Sequence, residues 1–458
     1  MNTATATARA VAAPRLRSLN PMGQLRHVRD EPLRFLTKIV REHGDTVQFR
    51  VGPYNLMMFA HPDAVKHVLV NNSANYDKHT PGYDMLAGLL GKGLLTSEGD
   101  FWRRQRRIAQ PAFHRRRIAG FADTMLAYTE QMLDAWEDAA ALGRTIDLAA
   151  EMSALTLRIV AKTLLGTEMG PVADQVAEAV TAINVFVDKA TTGFLARVLP
   201  TPEHLRAREA IRTLDRIVFD LIAQRRATQS SRDDLLTMFM EARDEETGEG
   251  MNDRQLRDEV LTMFLAGHET TSNALAWTFY LLSTHPGIRR RLCAELEAVT
   301  GGRAPTLEEL PRLEYLGQVI KESMRLYPPA WTLERRAREA DEIGGYRVPA
   351  GTIVLLSAWV THRHPRYWPN PEGFDPDRFT PEAEKARPRY AYLPFGGGPR
   401  QCIGNNFAIM ESQLIVATVL SRFSPWLVPG HPVVPEPLIT LRPRHGLQMG
   451  LTPTRLGT

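Results

Sequence analysis

Along its 458 residues the chain changes its pattern of apolar and polar positions more than once. Near the start TVQFRV alternates, GPYN carries turn residues and LMMFA is apolar again, which predicts a β-hairpin over residues 46–60. From Phe101 to Gly250 the apolar spacing becomes three and four, as in Met125, Met132, Leu133 and Trp136, and this is helical periodicity. A long helix is predicted over residues 253–285, after the N-cap Asn252 and before Pro286. At ~1.5 Å per residue it spans on the order of 50 Å. Another runs from Leu313 to Tyr327, with Leu313, Leu316, Ile320, Met324 and Tyr327 on one face and Pro328-Pro329 as its stop. IGGYRVPAGTIVLLS then reads as turn, short strand, turn and strand. A loop-rich stretch over residues 361–394 follows, and FAIMESQLIVATVLSRF resumes helical spacing. The fold class is mainly α with a smaller β-rich part.

The segment over residues 261–286 has the length of a membrane span, but its middle carries His268, Glu269, Thr270, Thr271, Ser272 and Asn273. An acid at a bilayer centre costs roughly 2.5–3.5 kcal/mol, so a buried helix is expected and no membrane span. Hydrophobic residues make up 43% and charged residues 24%, the balance of a globular chain with a large core. No Ser/Gly- or Pro-rich linker separates two halves. One domain over residues 21–458 is expected, after a disordered tail over residues 1–20 that has no apolar core of a secretory signal.

The net charge is only +4, yet Arg103, Arg104, Arg106 and Arg107 cluster, as do Arg115, Arg116 and Arg117, which suggests a local basic face. The two cysteines, Cys293 and Cys402, cannot build a disulfide framework. Neither lies in C-x-x-C or C-x-x-C-H, which excludes zinc ribbons and covalently attached heme and fits a reducing, cytoplasmic setting.

Cys402 sits in FGGGPRQCIG, where Phe395, Gly398, Arg400, Cys402 and Gly404 keep a fixed spacing. Glycines let backbone approach a flat cofactor, and the helix that begins just afterwards brings its positive end, so a thiolate is stabilised. The loop lacks G-K-[ST], and Gln401 stands where a G-x-G-x-x-G would need its last glycine, so phosphate-loop readings fail. In AGHETTS, His268 and Glu269 open like H-E-x-x-H, but position 272 is Ser and the second zinc ligand is missing. What remains is Glu269 beside Thr270 and Thr271 in an apolar helix. The threonines can bond back to the preceding turn, whereas a buried carboxylate calls for a functional reason. Glu322 and Arg325 share a helix face, a spacing that usually marks a solvated surface bridge.

Together these stretches resemble the cytochrome P450 family from about Pro21 onward: the cysteine loop its heme signature, KESMR its E-x-x-R helix, PDRF its P-x-R-F element and AGHETT its oxygen-activation segment. The resemblance implies the family fold, with a long central helix over a heme b whose iron takes the Cys402 thiolate. By the same resemblance Phe395 shields the sulfur, and Trp102, Arg106, Arg335, Arg400 and His79 bind heme propionates. Gly398 and Gly404 shape the loop, and Ala266 and Gly267 leave room for dioxygen. Thr270 and Glu269 organise protons for O–O cleavage, while Glu322, Arg325 and Arg378 form a buried structural triad.

The implied activity is monooxygenation of a lipophilic substrate, such as a fatty acyl chain, terpenoid or steroid. Electrons come from a separate ferredoxin or flavodoxin with its NAD(P)H-dependent reductase, docked on the arginine-rich helix near Trp102. The substrate pocket is expected from Phe264 and Leu265, from Pro329, Ala330 and Trp331, and from Leu438 and Ile439. A monomer is expected, and no nucleic acid partner, because RRQRR lies within the W-x-x-x-R helix. Two other functions compete with this one. Peroxide-driven oxidation or isomerisation commonly goes with loss of the acid–threonine pair, which this chain keeps. A heme-binding sensor would show no substrate-dependent turnover.

Overall fold

The structure is a computed structural model and describes residues 10–166, 175–176, 178–183, 185–186, 201–228 and 234–454. These are mainly helical and fall into two compact units. The first comprises Met1–Asp84, Ala330–Gly373 and Pro381–Cys402. The second comprises Met85–Pro329, Phe374–Thr380 and Ile403–Thr458.

The first unit holds strands β1 (Thr46–Val51), β2 (Tyr54–Phe59), β3 (Tyr76–Asp77), β4 (Leu333–Ala337), β5 (Asp341–Ile343), β6 (Tyr346–Val348) and β7 (Ile353–Leu356). Five of them make one sheet in the order β1-β2-β7-β4-β3, in which only the β2–β7 pair is parallel. β1 and β2 form the expected hairpin. Val51 pairs with Tyr54, so Gly52-Pro53 is a two-residue turn, and Gly52 takes the left-handed φ of +56° that such a turn demands. Helix α1 (Pro32–His43) packs Phe35 edge-on against Phe49, and Met57, Phe59, Val65, Leu69, Val354 and Leu356 close the unit's core.

Residues 1–9 of the expected tail lie outside the described residues, but from Val11 onward the chain is tied down. Val11 N donates to Gly345 O (2.9 Å), Leu16 N to Gln48 O (2.8 Å), and Ala13 is buried in the core. The alternation needed to show this is too short to stand out in the sequence.

The second unit is built from α2 (Gly99–Ala109), α3 (Ala122–Ala141), α4 (Leu148–Leu165), α5 (Pro202–Thr228), α6 (Asp253–Thr284), α7 (Glu314–Leu326) and α8 (Asn405–Arg422). Its strands are β8 (Phe423–Leu427), β9 (Pro435–Pro437), β10 (Leu441–Pro443) and β11 (Gln448–Pro453), and β11 also pairs with Ile146–Asp147. α6 is 32 residues long. It starts in a full capping box, with Asn252 Oδ1 accepting from Gln255 N and Gln255 Oε1 accepting from Asn252 N, both at 2.9 Å. It lies along α4 and buries Trp277 and Phe279 completely.

Within this unit Glu322 and Arg325 are both fully buried, so the surface-bridge reading does not apply to them. Arg325 Nε donates to Glu322 Oε2 at 2.6 Å and Nη2 to Oε1 at 2.8 Å. The same Oε1 accepts from Asp375 N at 2.9 Å and lies 3.4 Å from Arg378 Nε. Burial raises the Glu322 carboxyl and the arginines oppose that rise. The cluster joins α7 to the turn at Pro376–Phe379. Breaking such a pair leaves a buried charge alone and costs roughly 3–5 kcal/mol. Arg325→Ala is therefore expected to cut the yield of folded protein severely, whereas reversal of the exposed Arg103 is not; soluble yield and thermal unfolding midpoints of both variants check this.

Candidate functional site

In the first unit the cysteine loop is closed on itself. Cys402 N donates to Phe395 O at 3.0 Å, Gln401 N to Gly398 O at 3.1 Å and Gly396 N to Leu393 O at 3.0 Å. The loop is anchored from below by the buried His362, whose Nε2 accepts from Leu393 N at 2.9 Å. Gly396 and Gly398 have φ of +69° and +66°. A Cβ on Gly398 would run into the Leu69 carbonyl, so both conformation and space require glycine there. The result is an exposed Cys402 on a rigid turn, unlike the burial usual for an inert thiol. Arg335 is buried on β4, its Nη1 donating to Glu334 O at 2.8 Å, while His79 is exposed and 3.6 Å from Asp84. Trp331 is nearly buried and its carbonyl accepts from Ser357 Oγ at 3.0 Å.

In the second unit the polar residues of α6 point to different neighbours. Thr270 Oγ1 donates to Ala266 O at 2.6 Å, the back-bond open to a mid-helix threonine. Glu269 Oε1 accepts from Thr440 Oγ1 at 2.7 Å, and Thr440 Oγ1 in turn accepts from Asn273 Nδ2 at 3.0 Å. His268 faces α4, with Nε2 2.9 Å from Ser153 Oγ, and burial pulls it down to about 4, so it is neutral at pH 7. Ala266 is exposed, Gly267, Leu265 and Leu438 are half-buried, Ile439 is exposed, and Phe264 is buried. Trp102 and Arg106 are half-buried one turn apart on α2. Among the described residues no cluster of three or more His, Cys, Asp or Glu could hold a metal ion, and no helix is long and apolar enough to cross a membrane.

The basic face expected on α2 is corrected by the structure. Arg107 Nε donates to the buried Asp244 at 2.9 Å and Nη2 lies 2.9 Å from Glu246. Arg104 Nη2 donates to Gly250 O at 2.9 Å and lies 3.1 Å from Glu249, and Arg103 pairs with Asp100. Arg107 holds Asp244 down at about 2. Three of the α2 arginines thus neutralise acids of their own unit, while Arg115, Arg116 and Arg117 on the next short helix are exposed.

Sequence reasoning passed over Thr440 and Asn273, although Asn273 stands one helical turn after Glu269. It also passed over two buried acids. Glu259 on α6 accepts from Leu94 N at 3.0 Å, but burial and the neighbouring Asp258 push it up to about 8. Glu411 on α8 is fully buried and pushed up to about 8. The Thr271 hydroxyl opposes that rise, and no hydrogen bond of ordinary geometry reaches either Glu411 oxygen among the described residues. A glutamate in an apolar helical run was the available signal.

A family model described as Cytochrome P450 matches residues 14–448. The chain is 40% identical over 418 residues to cyclooctatin synthase of Streptomyces melanosporofaciens, covering 90% of this chain and 89% of that protein. It is 36% identical over 426 residues to pentalenene oxygenase of Streptomyces avermitilis, covering 92% and 93%. The crystal structure of the cytochrome P450DA heme domain superposes with a TM-score of 0.89 at 27% identity, over 98% of this chain and 99% of that one.

The Glu411 carboxyl makes stability depend on pH in a direction opposite to an ion-paired acid. Unfolded it titrates near 4.5 and folded near 8, so between these values the folded state binds the extra proton. Stability is then highest at the acid end of this window and falls as pH rises toward 8, by at most about 1.4 kcal/mol per unit. Glu411→Gln removes that slope; urea unfolding of wild type and variant across the window should show the variant gaining relative stability as pH rises.

Proposed function

The chain belongs to the cytochrome P450 family and is a monooxygenase acting on a lipophilic substrate, and from that premise we propose that Cys402 is the thiolate ligand of its heme b. The observation that carries this is the exposed cysteine on a loop whose Gly398 admits no side chain. The donor set fits the group: a sulfur for the iron, backbone able to lie close to a flat ring, and arginines for carboxylates. Bound there, heme supplies dioxygen activation, with thiolate ligation favouring O–O cleavage.

The chain's own residues supply the rest of the reading. Phe395 shields the sulfur, and Gly398 and Gly404 keep the loop close. Trp102, Arg106, Arg335, Arg400 and His79 donate to propionates. Ala266 and Gly267 leave room for dioxygen. Thr270 and Glu269 hold and move protons, the Thr270 proton resting on Ala266 O and the Glu269 carboxyl receiving the Thr440 proton in a hydrogen bond. Glu322, Arg325 and Arg378 are fold residues. Residues 21–458 are read as one catalytic domain, in a cytoplasmic monomer.

Phe264, Leu265, Ala330, Trp331, Leu438 and Ile439 line the substrate pocket in this reading and include no basic residue. An apolar lining favours a hydrocarbon body. Relatives named for cyclooctatin and pentalenene support a terpenoid substrate, hydroxylated or epoxidised. Electrons arrive from an acidic ferredoxin or flavodoxin with its NAD(P)H-dependent reductase. Because Arg103, Arg104 and Arg107 of α2 are paired with acids of their own unit, the docking charge is assigned to Arg115, Arg116 and Arg117.

The ferrous carbon monoxide complex should show the red-shifted Soret band of thiolate ligation; Cys402→Ser is expected to lose it and Cys293→Ser to keep it. Loss in Cys293→Ser alone would move the ligand to that half-buried thiol. Charge reversal of Arg115 and Arg116 is expected to slow reduction by the electron carrier and flatten its salt dependence, with spin-state titrations by lipophilic ligands unchanged. Stopped-flow reduction at several ionic strengths checks this, and equal rates would place docking elsewhere.

A further inference from the structure

Glu269, Asn273 and Trp277 stand at successive turns of α6 and form one stripe. All three meet the same segment of chain. Glu269 Oε1 and Asn273 Nδ2 both bond Thr440 Oγ1, and Trp277 Nε1 donates to Leu441 O at 2.9 Å. We infer that Thr440, oriented by Asn273, is a positioning residue that fixes the rotamer and protonation of the Glu269 carboxyl. This rests on the reading of Glu269 as the acid of the monooxygenase.

The direction of the hydrogen bonds is determined by chemistry. An amide nitrogen can only donate, so Asn273 Nδ2 takes up an acceptor position of the Thr440 hydroxyl, and the single hydroxyl proton is directed at Glu269 Oε1. Thr440 and Asn273 are 5% and 7% exposed, which keeps water from competing for that proton. A hydrogen bond to an ionised carboxylate in such surroundings is stronger than one between neutral groups and favours the charged form.

The Thr440 side chain is not needed to hold its own turn. Leu438 N donates to Thr440 O at 3.1 Å, Leu441 N donates to Pro329 O at 3.0 Å, and Trp277 holds Leu441 O. The turn is thus anchored by backbone and indole, leaving the hydroxyl to act on the acid. Other titratable groups of α6 and the C-terminal turn have partners of their own. Glu436 pairs with Arg442 at 2.9 Å and Arg444 at 3.3 Å, His268 faces Ser153, and Glu411 neighbours Thr271.

The test uses the heme-loaded full chain. Infrared difference spectra against Glu269→Gln isolate the Glu269 carboxyl band, whose protonation midpoint is titrated, and product formed per reductant consumed is measured alongside. Thr440→Val keeps the shape and removes the proton. Its Glu269 midpoint is expected to rise by about one pH unit, the loss of one charge-assisted bond, and its share of reductant recovered as product to fall. Thr440→Ser should restore both. Asn273→Ala, which leaves the hydroxyl but frees its direction, should move both readouts the same way by less, and serves as the test if Thr440→Val does not fold. An unmoved midpoint in the folded variants, or equal damage by Val and Ser, overturns the inference while leaving Glu269 as the acid. Unchanged product recovery in Glu269→Gln removes the reading beneath it and the inference with it.

Discussion

A helix that runs through the interior of a unit must find a partner for each polar side chain it carries, since an unpaired buried polar group costs more than a made hydrogen bond returns. α6 faces this constraint over six consecutive polar positions, His268 to Asn273. With 3.6 residues per turn these point in all directions, so no single neighbour can serve them. α4 answers on one side, where Ser153 meets His268 Nε2 and Thr156 donates to His268 O at 3.2 Å. The C-terminal turn answers on another through Thr440 and Leu441. Thr270 and Ser272 turn inward to the carbonyls of Ala266 and Glu269. The arrangement of helices around α6 follows from these obligations as much as from apolar packing.

Buried carboxyls are handled in two different ways in the same unit. Glu322 is surrounded by Arg325, Arg378 and the Asp375 amide, so its charge is matched by fixed donors. Among the described residues Glu259 has one backbone donor and Glu411 no hydrogen bond of ordinary geometry, so burial shifts both toward the protonated form. The difference is the number of donors aimed at each acid. An acid that keeps its proton is electrically silent and can sit in a helix core, whereas one that must stay ionised needs a built cage. Glu269 stands between these cases, half-buried with a threonine proton directed at it.

Short-range features were legible in the sequence. The Asn252–Gln255 capping box, the Gly52-Pro53 hairpin turn and the proline stops act within a few residues, so their physics is visible in a local window. The cysteine loop and the E-x-x-R helix were legible through the family resemblance. Apart from the contact of Arg378 with Glu322, which the resemblance implied, pairings of residues far apart along the chain could not be read. Arg107 and Asp244 lie 137 positions apart, and a charge count along α2 saw a basic face where Arg103, Arg104 and Arg107 of the folded unit are paired with acids. Thr440 is 171 positions from Glu269, beyond the reach of any local window. The docking of residues 11–16 onto the first unit also depends on strands that lie far along the chain, near Gly345 and Gln48.

The choice of threonine at position 440 follows from the same reasoning. A serine offers the same proton, but its χ1 has three accessible wells, and a buried hydroxyl that can rotate can also miss its acceptor. The β-branch of threonine restricts that rotation, and its methyl fills apolar space that the serine would leave. Asn273 removes the remaining freedom by occupying the oxygen from the other side. An asparagine or glutamine in place of Thr440 would bring a carbonyl as well as an amide, and one of the two would face Glu269 with the wrong sign in half of its orientations. The pair of one branched hydroxyl and one amide is thus a minimal arrangement that presents a single proton to a carboxylate in a fixed direction, and it sits on a turn whose backbone is secured independently of it.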